Sequence, residues 1–200
     1  MYLYGASGHA KVIIDILRSQ NIIVDGLFDD NPQYSKLKDV PVLGKMMDYE
    51  NVADNLIVAI GSNKVRKNIV ESLENQQFGT GIHATALLSE DVTIGKGTVI
   101  MHGAIVQSSA KIGNHCILNT AATIDHDCTI EDYVHISPNA TLCGNVTVCE
   151  GAQVGAGAVV VPGKKIGKWA LVAAGAVVVR DVPDYALVIG NPARVIKILK

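Results

Sequence analysis

The residues best suited to chemistry are packed into one short stretch, Ile124-Asp125-His126-Asp127-Cys128. A histidine flanked by carboxylates is held in one tautomer, and its imidazolium form is stabilised. Such a group suits a general base near neutral pH. The same spacing also fits a solvated histidine in an acidic stretch. The other histidines are His9, His83, His102, His115 and His135. His102, His126 and His135 could be read as a zinc set, but their spacings of 24 and 9 put them on different sides of a coil of period 18. Only a neighbouring copy could bring them together. The cysteines Cys116, Cys128, Cys143 and Cys149 form no C-x-x-C pair and read as small wall residues.

The element that must hold His126 is legible as a repeat. Every sixth residue from Ile82 to Val178 is aliphatic, and the residue four places later is small or β-branched, apart from Lys164. Period six fits neither an α-helix nor an alternating strand. It fits a coil of three hexads, each one short strand and one corner. The large aliphatic residue fills a prism, the small one lets the chain turn, and Gly, Asn or Asp accept the corner dihedrals. Coils stack as parallel strands about 4.8 Å apart. The period does not slip, so no loop leaves the prism. Residues one coil from His126 are Ser108 and Gly144, both small. They leave room for the imidazole and put the Gly144 N–H near a developing oxyanion. A flat prism side has no concavity, so a small-molecule site needs a second wall from another subunit.

Residues 1–80 are punctuated differently. Strands are expected at Met1–Tyr4, Val24–Phe28 and Leu56–Ile60, and helices at Ala10–Ser19 and about 64–75. This order suggests a small Rossmann-like parallel sheet. Gly5-Ala6-Ser7-Gly8-His9 is a strand-to-helix turn whose amides suit an anion or nucleotide-sugar, or serve only as a tight connection. Asp29-Asp30 ends the second strand, where it reads as a ribose or uracil contact or as a solvated turn. The domains are therefore expected at 1–80 and 81–200.

The chain has 200 residues and a net charge of -2, which gives no electrostatic reason to expect nucleic acid. Aromatics make up only 4% against 48% hydrophobic residues, as repetitive aliphatic packing requires. No apolar run is long enough to span a membrane, and the start lacks the features of a signal peptide. A cytoplasmic location is expected.

Several segments together resemble the PglD/NeuD-type hexapeptide-repeat sugar acetyltransferases. They are Tyr4-Gly5-Ala6-Ser7-Gly8-His9, Phe28-Asp29-Asp30, Ala59-Ile60-Gly61-Ser62-Asn63, Asn119-Thr120 with the His126 stretch, and Gly190-Asn191-Pro192-Ala193-Arg194. The resemblance implies a left-handed parallel β-helix behind the Rossmann-like domain, against the usual right-handed crossover rule. It implies a homotrimer, acetyl-CoA as co-substrate, and no metal. It implies that His126 is the base and Asp127 its tuning carboxylate, where the family carries Glu. Ser7, Gly8, His9, Asp29, Asp30 and Gly61 would hold the nucleotide-sugar, and Asn119 would sit near its amine. His135 and Gly144 would touch acetyl-CoA, with backbone at Ala156 and Ala174 lining the pantetheine arm. The implied activity is N-acetylation of the 4-amino group of a UDP-amino-sugar. O-acetylation of sialic acid, a γ-carbonic-anhydrase-like metal protein and a non-catalytic scaffold are the alternatives. Lys164, Lys165, Lys168 and Arg194 read as a solvated basic face or as contacts to the coenzyme phosphates.

Overall fold

A computed structural model describes residues 1–48 and 55–199. The N-terminal unit comprises β1 (Tyr2–Tyr4), α1 (Gly8–Ser19), β2 (Gly26–Phe28), β3 (Lys36–Leu37), β4 (Val40–Gly44), β5 (Leu56–Val58) and α2 (Asn63–Ser72). The sheet order is β3-β4-β2-β1-β5. All pairs are parallel except the β3–β4 hairpin. Repeating apolar positions bury Ala10, Ile13, Ile14, Ile16 and Leu17 of α1. The sequence pattern did not reveal β3 and β4. Their polar, Pro-containing text (Lys36 to Pro41) reads as loop, and tertiary pairing to β2 makes it sheet.

From Gly81 onward the chain winds as a left-handed parallel β-helix of hexapeptide repeats. Three faces are visited in turn. Face 1 carries Val99–Ile100, Ile117–Leu118, His135–Ile136 and their stacked equivalents; face 2 carries Ile105–Val106, Thr123–Ile124 and Thr141–Leu142; face 3 carries Lys111–Ile112 and Thr129–Ile130. Partners are one coil apart throughout, as in Ile105↔Thr123 and Thr129↔Thr147. The second residue of each strand points inward. Ile100, Leu118, Ile124, Ile136, Leu142 and Val154 are completely buried.

The corners repeat as strictly as the core. The residue three places after each inward aliphatic adopts a left-handed conformation, from Gly97 to Gly175. Non-glycine occupants include Ser109, His115, Asp127, Asn139 and Trp169, with φ between 53° and 62°. Asn and Asp tolerate this region well. The final coil is two residues shorter (Leu171 pairs Leu187), and an antiparallel strand, Arg194–Ile198, closes the end.

The two units share one packed junction. Val99, Met101 and Ile117 of face 1 belong to the same buried cluster as Leu3, Ile13 and Ile16. Helix α2 covers the edge between faces 3 and 1, where Asn63 donates to the Gly151 and Ala152 carbonyls. Among the described residues no helix is long and apolar enough to cross a membrane.

Candidate active site

His126 and Asp127 stand on the edge where face 2 turns into face 3. Asp127 occupies the left-handed corner position, with φ 59°. That turn brings its Oδ2 to 2.8 Å from His126 Nδ1. Asp125 Oδ1 accepts the His126 backbone N–H at 2.8 Å. The His126 imidazole pKa is raised above the ordinary histidine range, first by the Asp127 hydrogen bond and then by the Asp125 charge. With Nδ1 tied to the carboxylate, Nε2 is the atom left for proton transfer. It lies over Gly144 of the next coil: a Cβ at 144 would sit 2.6 Å from both Nε2 and Cε1. The His126 side chain is 60% exposed.

Asn119 stands on the edge between faces 1 and 2, and His135, an outward residue of the face 1 strand one coil on, lies against it. Asn119 Nδ2 donates to His135 Nε2 at 3.1 Å, and Asn119 Oδ1 accepts the Thr120 N–H. Burial, with Arg66 second and His9 third, lowers the His135 pKa to about 4. The ring is thus neutral, as an Nε2 acceptor must be. His9, at the start of α1, is also held near 4 by burial and then by Arg66. Its buried Nε2 has no hydrogen-bond partner among the described residues.

The β1–α1 turn is fastened from below. Asp29 Oδ2 accepts the Ala6 N–H at 2.8 Å and Oδ1 the Asn31 N–H at 2.9 Å. Asp30 accepts the Tyr4 hydroxyl at 2.6 Å. Both carboxylates already have protein partners, and they shape the turn. Ser7, Gly8 and Gly61 are exposed, with nothing within 4 Å of where a Cβ on either glycine would stand. Gly5 is different: its φ is 108°, and a Cβ would strike Ile60 and the Ala59 carbonyl.

The corner amides separate the edges. Between faces 3 and 1 the second corner N–H is capped by a side chain: Asn114 caps Lys96, Asp132 caps Asn114, Glu131 caps Glu150 and Asp184 caps Lys168. On the other two edges the caps are Asn119 on Thr120, Asp125 on His126 and Ser19 on Ala84. Among the described residues the N–H groups of Gly144, Ala156 and Ala174 have no acceptor. These amides suit the carbonyls of an extended ligand lying along the axis.

The structure therefore gathers the expected residues into two groups. His126, Asp127 and Gly144 share one edge. Asn119, Ala156 and Ala174 share the next, with His135 beside Asn119 on face 1 and His9 adjoining His135. One full prism side separates the groups within a chain. Face 2 forms that side, and its outward strand residues Leu87, Ile105, Thr123, Thr141, Val159 and Val177 carry no charge. A cleft lined by Lys64, Lys67, Asn68, Trp169, Tyr185 and Leu199 lies on the third edge, away from both groups. Cys116 is pushed up to about 12 by burial, and burial also raises Cys128 and Cys149, so none of these three is an activated thiol. Among the described residues no group of His, Cys, Asp or Glu is arranged to hold a metal ion.

Of the two residues that bind the units together, Arg66 escaped the sequence reading and Asn63 entered it only as the end of the Ala59-Ile60-Gly61-Ser62-Asn63 segment. Arg66 lies in Lys64-Val65-Arg66-Lys67 and looks like one more surface cation.

Residues 1–73 match the PglD N-terminal domain family, and residues 109–144 and 127–162 match bacterial transferase hexapeptide repeats. Perosamine N-acetyltransferase from Caulobacter crescentus, solved with CoA and GDP-perosamine, is 37% identical with a TM-score of 0.93, over 98% of this chain and 96% of that one. The acetyltransferase domain of PglB from Neisseria gonorrhoeae, solved with acetyl coenzyme A, is 33% identical with a TM-score of 0.91, over 98% of both chains. A Bacillus subtilis UDP-N-acetylbacillosamine N-acetyltransferase is 41% identical over 107 residues, 50% of each chain. The matched stretches span half or less of the curated relatives' length.

Proposed function

The chain belongs to the PglD-type hexapeptide-repeat sugar acetyltransferases, and we propose that it transfers the acetyl group of acetyl-CoA to the 4-amino group of a UDP-linked amino sugar. The observation that carries this is the His126–Asp127 pair, with Nε2 free above Gly144. The relatives solved with CoA, acetyl coenzyme A and GDP-perosamine support the substrate class.

Transfer is direct. His126 Nε2 removes a proton from the amine as its nitrogen attacks the thioester carbonyl. Asp127 stabilises the imidazolium that forms and fixes the tautomer. The Gly144 N–H stabilises the tetrahedral oxyanion. Collapse breaks the C–S bond, and the proton on His126 passes to the departing thiolate. The acidic surroundings, Asp125 and Asp127, favour approach of a cationic amine. The raised thiol pKa values support a mechanism without an acyl-cysteine.

The working unit is a homotrimer. Face 2, uncharged and bounded by the two residue groups, packs against a neighbour and brings His126 of one copy to the Asn119 edge of the next. Residues 1–80 hold the nucleotide-sugar through Ser7, Gly8, His9, Gly61 and the turn that Asp29 and Asp30 shape. Residues 81–200 carry the acyl transfer in the cytoplasm. Backbone at Ala156 and Ala174, with His135 beside them, lines the acetyl-CoA arm.

A coenzyme A release assay with UDP-, dTDP- and GDP-linked 4-amino sugars and with sialic acid tests the reading. Turnover is expected with a UDP-4-amino sugar and loss of it in His126→Ala, with CoA binding kept. Release with sialic acid alone, or a His126→Ala variant at half the normal rate, overturns it.

A further inference from the structure

Arg66 is 1% exposed, yet it meets no carboxylate among the described residues. Its guanidinium is satisfied by oxygen dipoles alone. Nη1 donates to the Ile60 and Gly61 carbonyls at 3.0 and 3.3 Å. Nε donates to the His115 carbonyl at 2.8 Å, and Nη2 to the Tyr133 carbonyl and Asn63 Oδ1, both at 2.9 Å. Burial lowers its pKa to about 10, so it remains a cation at neutral pH.

Burying a cation without an anion is unfavourable, and an apolar side chain would pack there more readily. An apolar side chain could not make the connection that Arg66 makes. Its fork joins the Gly61 loop of the N-terminal unit to the coil two residues before His135. Those are the two walls of the proposed acceptor crevice. The neighbouring charge-assisted tie, Lys67 Nζ to Glu150 Oε1 at 2.6 Å, reaches the next coil instead.

We propose that Arg66 is a positioning residue for the acceptor: it sets the spacing between the Gly61 loop and the His135 coil, and so holds the nucleotide-sugar site in register with the β-helix. The proposal rests on the nucleotide-sugar reading above. A second consequence follows from its charge. His9 and His135 face Arg66, each other and, for His135, Asn119; both rings are kept neutral by burial first and then by the cation beside them.

Calorimetric titration of the full chain with coenzyme A and with the accepted nucleotide-amino-sugar tests this in wild type, Arg66→Met and Arg66→Lys. The expected result for Arg66→Met is roughly tenfold weaker sugar binding, as a misplaced wall gives, with coenzyme A affinity unchanged. Sugar binding is also lost at a higher pH than in wild type, because removing the cation lets His9 and His135 protonate earlier. Arg66→Lys keeps the charge but not the fork. It is expected to keep the wild-type pH limb while losing sugar affinity, and it stands in for Arg66→Met should that variant not fold. Equal weakening of both ligands, or unaltered sugar binding, overturns the proposal. A wild-type chain that binds coenzyme A but none of the nucleotide-amino-sugars overturns the function proposed above, and this inference with it.

Discussion

The imidazole of His126 lies directly over the backbone of Gly144, so close that a Cβ there would come within 2.6 Å of its Nε2. Gly144 has ordinary backbone dihedrals, unlike the left-handed corner glycines. Alanine at this position therefore meets the ring rather than backbone strain. Gly144→Ala is expected to tilt the base and lower kcat by roughly 10²-fold. Thermal unfolding should stay near wild type. An alanine variant with full activity would show that the ring position does not matter.

The Asp127 carboxylate both orients His126 and raises its pKa. The neutral base is the active form, so wild-type kcat/KM should rise with pH through a value above the ordinary 6.5. Asp127→Asn removes the charge, and the acid limb should move to lower pH while the plateau falls by about 10²-fold or more. A pH–rate profile in both proteins checks this. A limb that stays in place would exclude His126 as the titrating group.

Face 2 offers the clearest test of assembly. Thr141→Lys places a charge on its uncharged surface without touching the core. Light scattering should show a single-chain mass, with turnover lost. In mixing experiments, His126→Ala and Asn119→Ala chains should regain activity together, since each copy supplies the group the other lacks. Two inactive chains that stay inactive after co-refolding argue against a shared site.

His9 and His135 carry a stability signature. Both have folded pKa values near 4, below the ordinary 6.5. The unfolded chain therefore binds more protons between those values, so stability present at pH 7 is lost as pH falls from about 6.5 toward 4. Each ring contributes about 1.4 kcal/mol per pH unit within that window. His115 is also held near 4, by burial and then by Arg66, so three rings share the slope and His135→Asn should flatten the dependence of Tm on pH by roughly a third.

Inside the prism, Leu142→Ala should cost about 2–5 kcal/mol, because stacked coils cannot collapse around a missing side chain. Chemical denaturation measures it.

Much of this was legible because a hexad is a local rule. Each aliphatic residue from Ile82 to Val178 reports its own orientation, and each corner residue its own dihedral. The His126–Asp127 contact was legible for the same reason, being one residue apart. The hand of the coil and the roles of Asn119 and His135 came from resemblance, since spacing is silent on them. Arg66 was invisible. Its meaning lies in carbonyls 49 and 67 residues away, and a carbonyl leaves no mark in the residue alphabet. The β3–β4 hairpin was lost because pairing to β2, rather than its own propensity, makes it a strand.

A solenoid without insertions is a graduated scale. Ala156 and Ala174 lie one coil apart on the same edge, about 4.8 Å along the axis, with Gly144 twelve residues earlier on the neighbouring edge. Anything stretched along the axis is consequently measured in whole steps. A thioester carried on a shorter tail would bring its carbonyl to the wrong storey, however well its acyl group fitted. Selection among acyl donors is then partly a matter of tether length, and deleting one complete coil between the base and the upper amides would recalibrate the scale without rewriting either end.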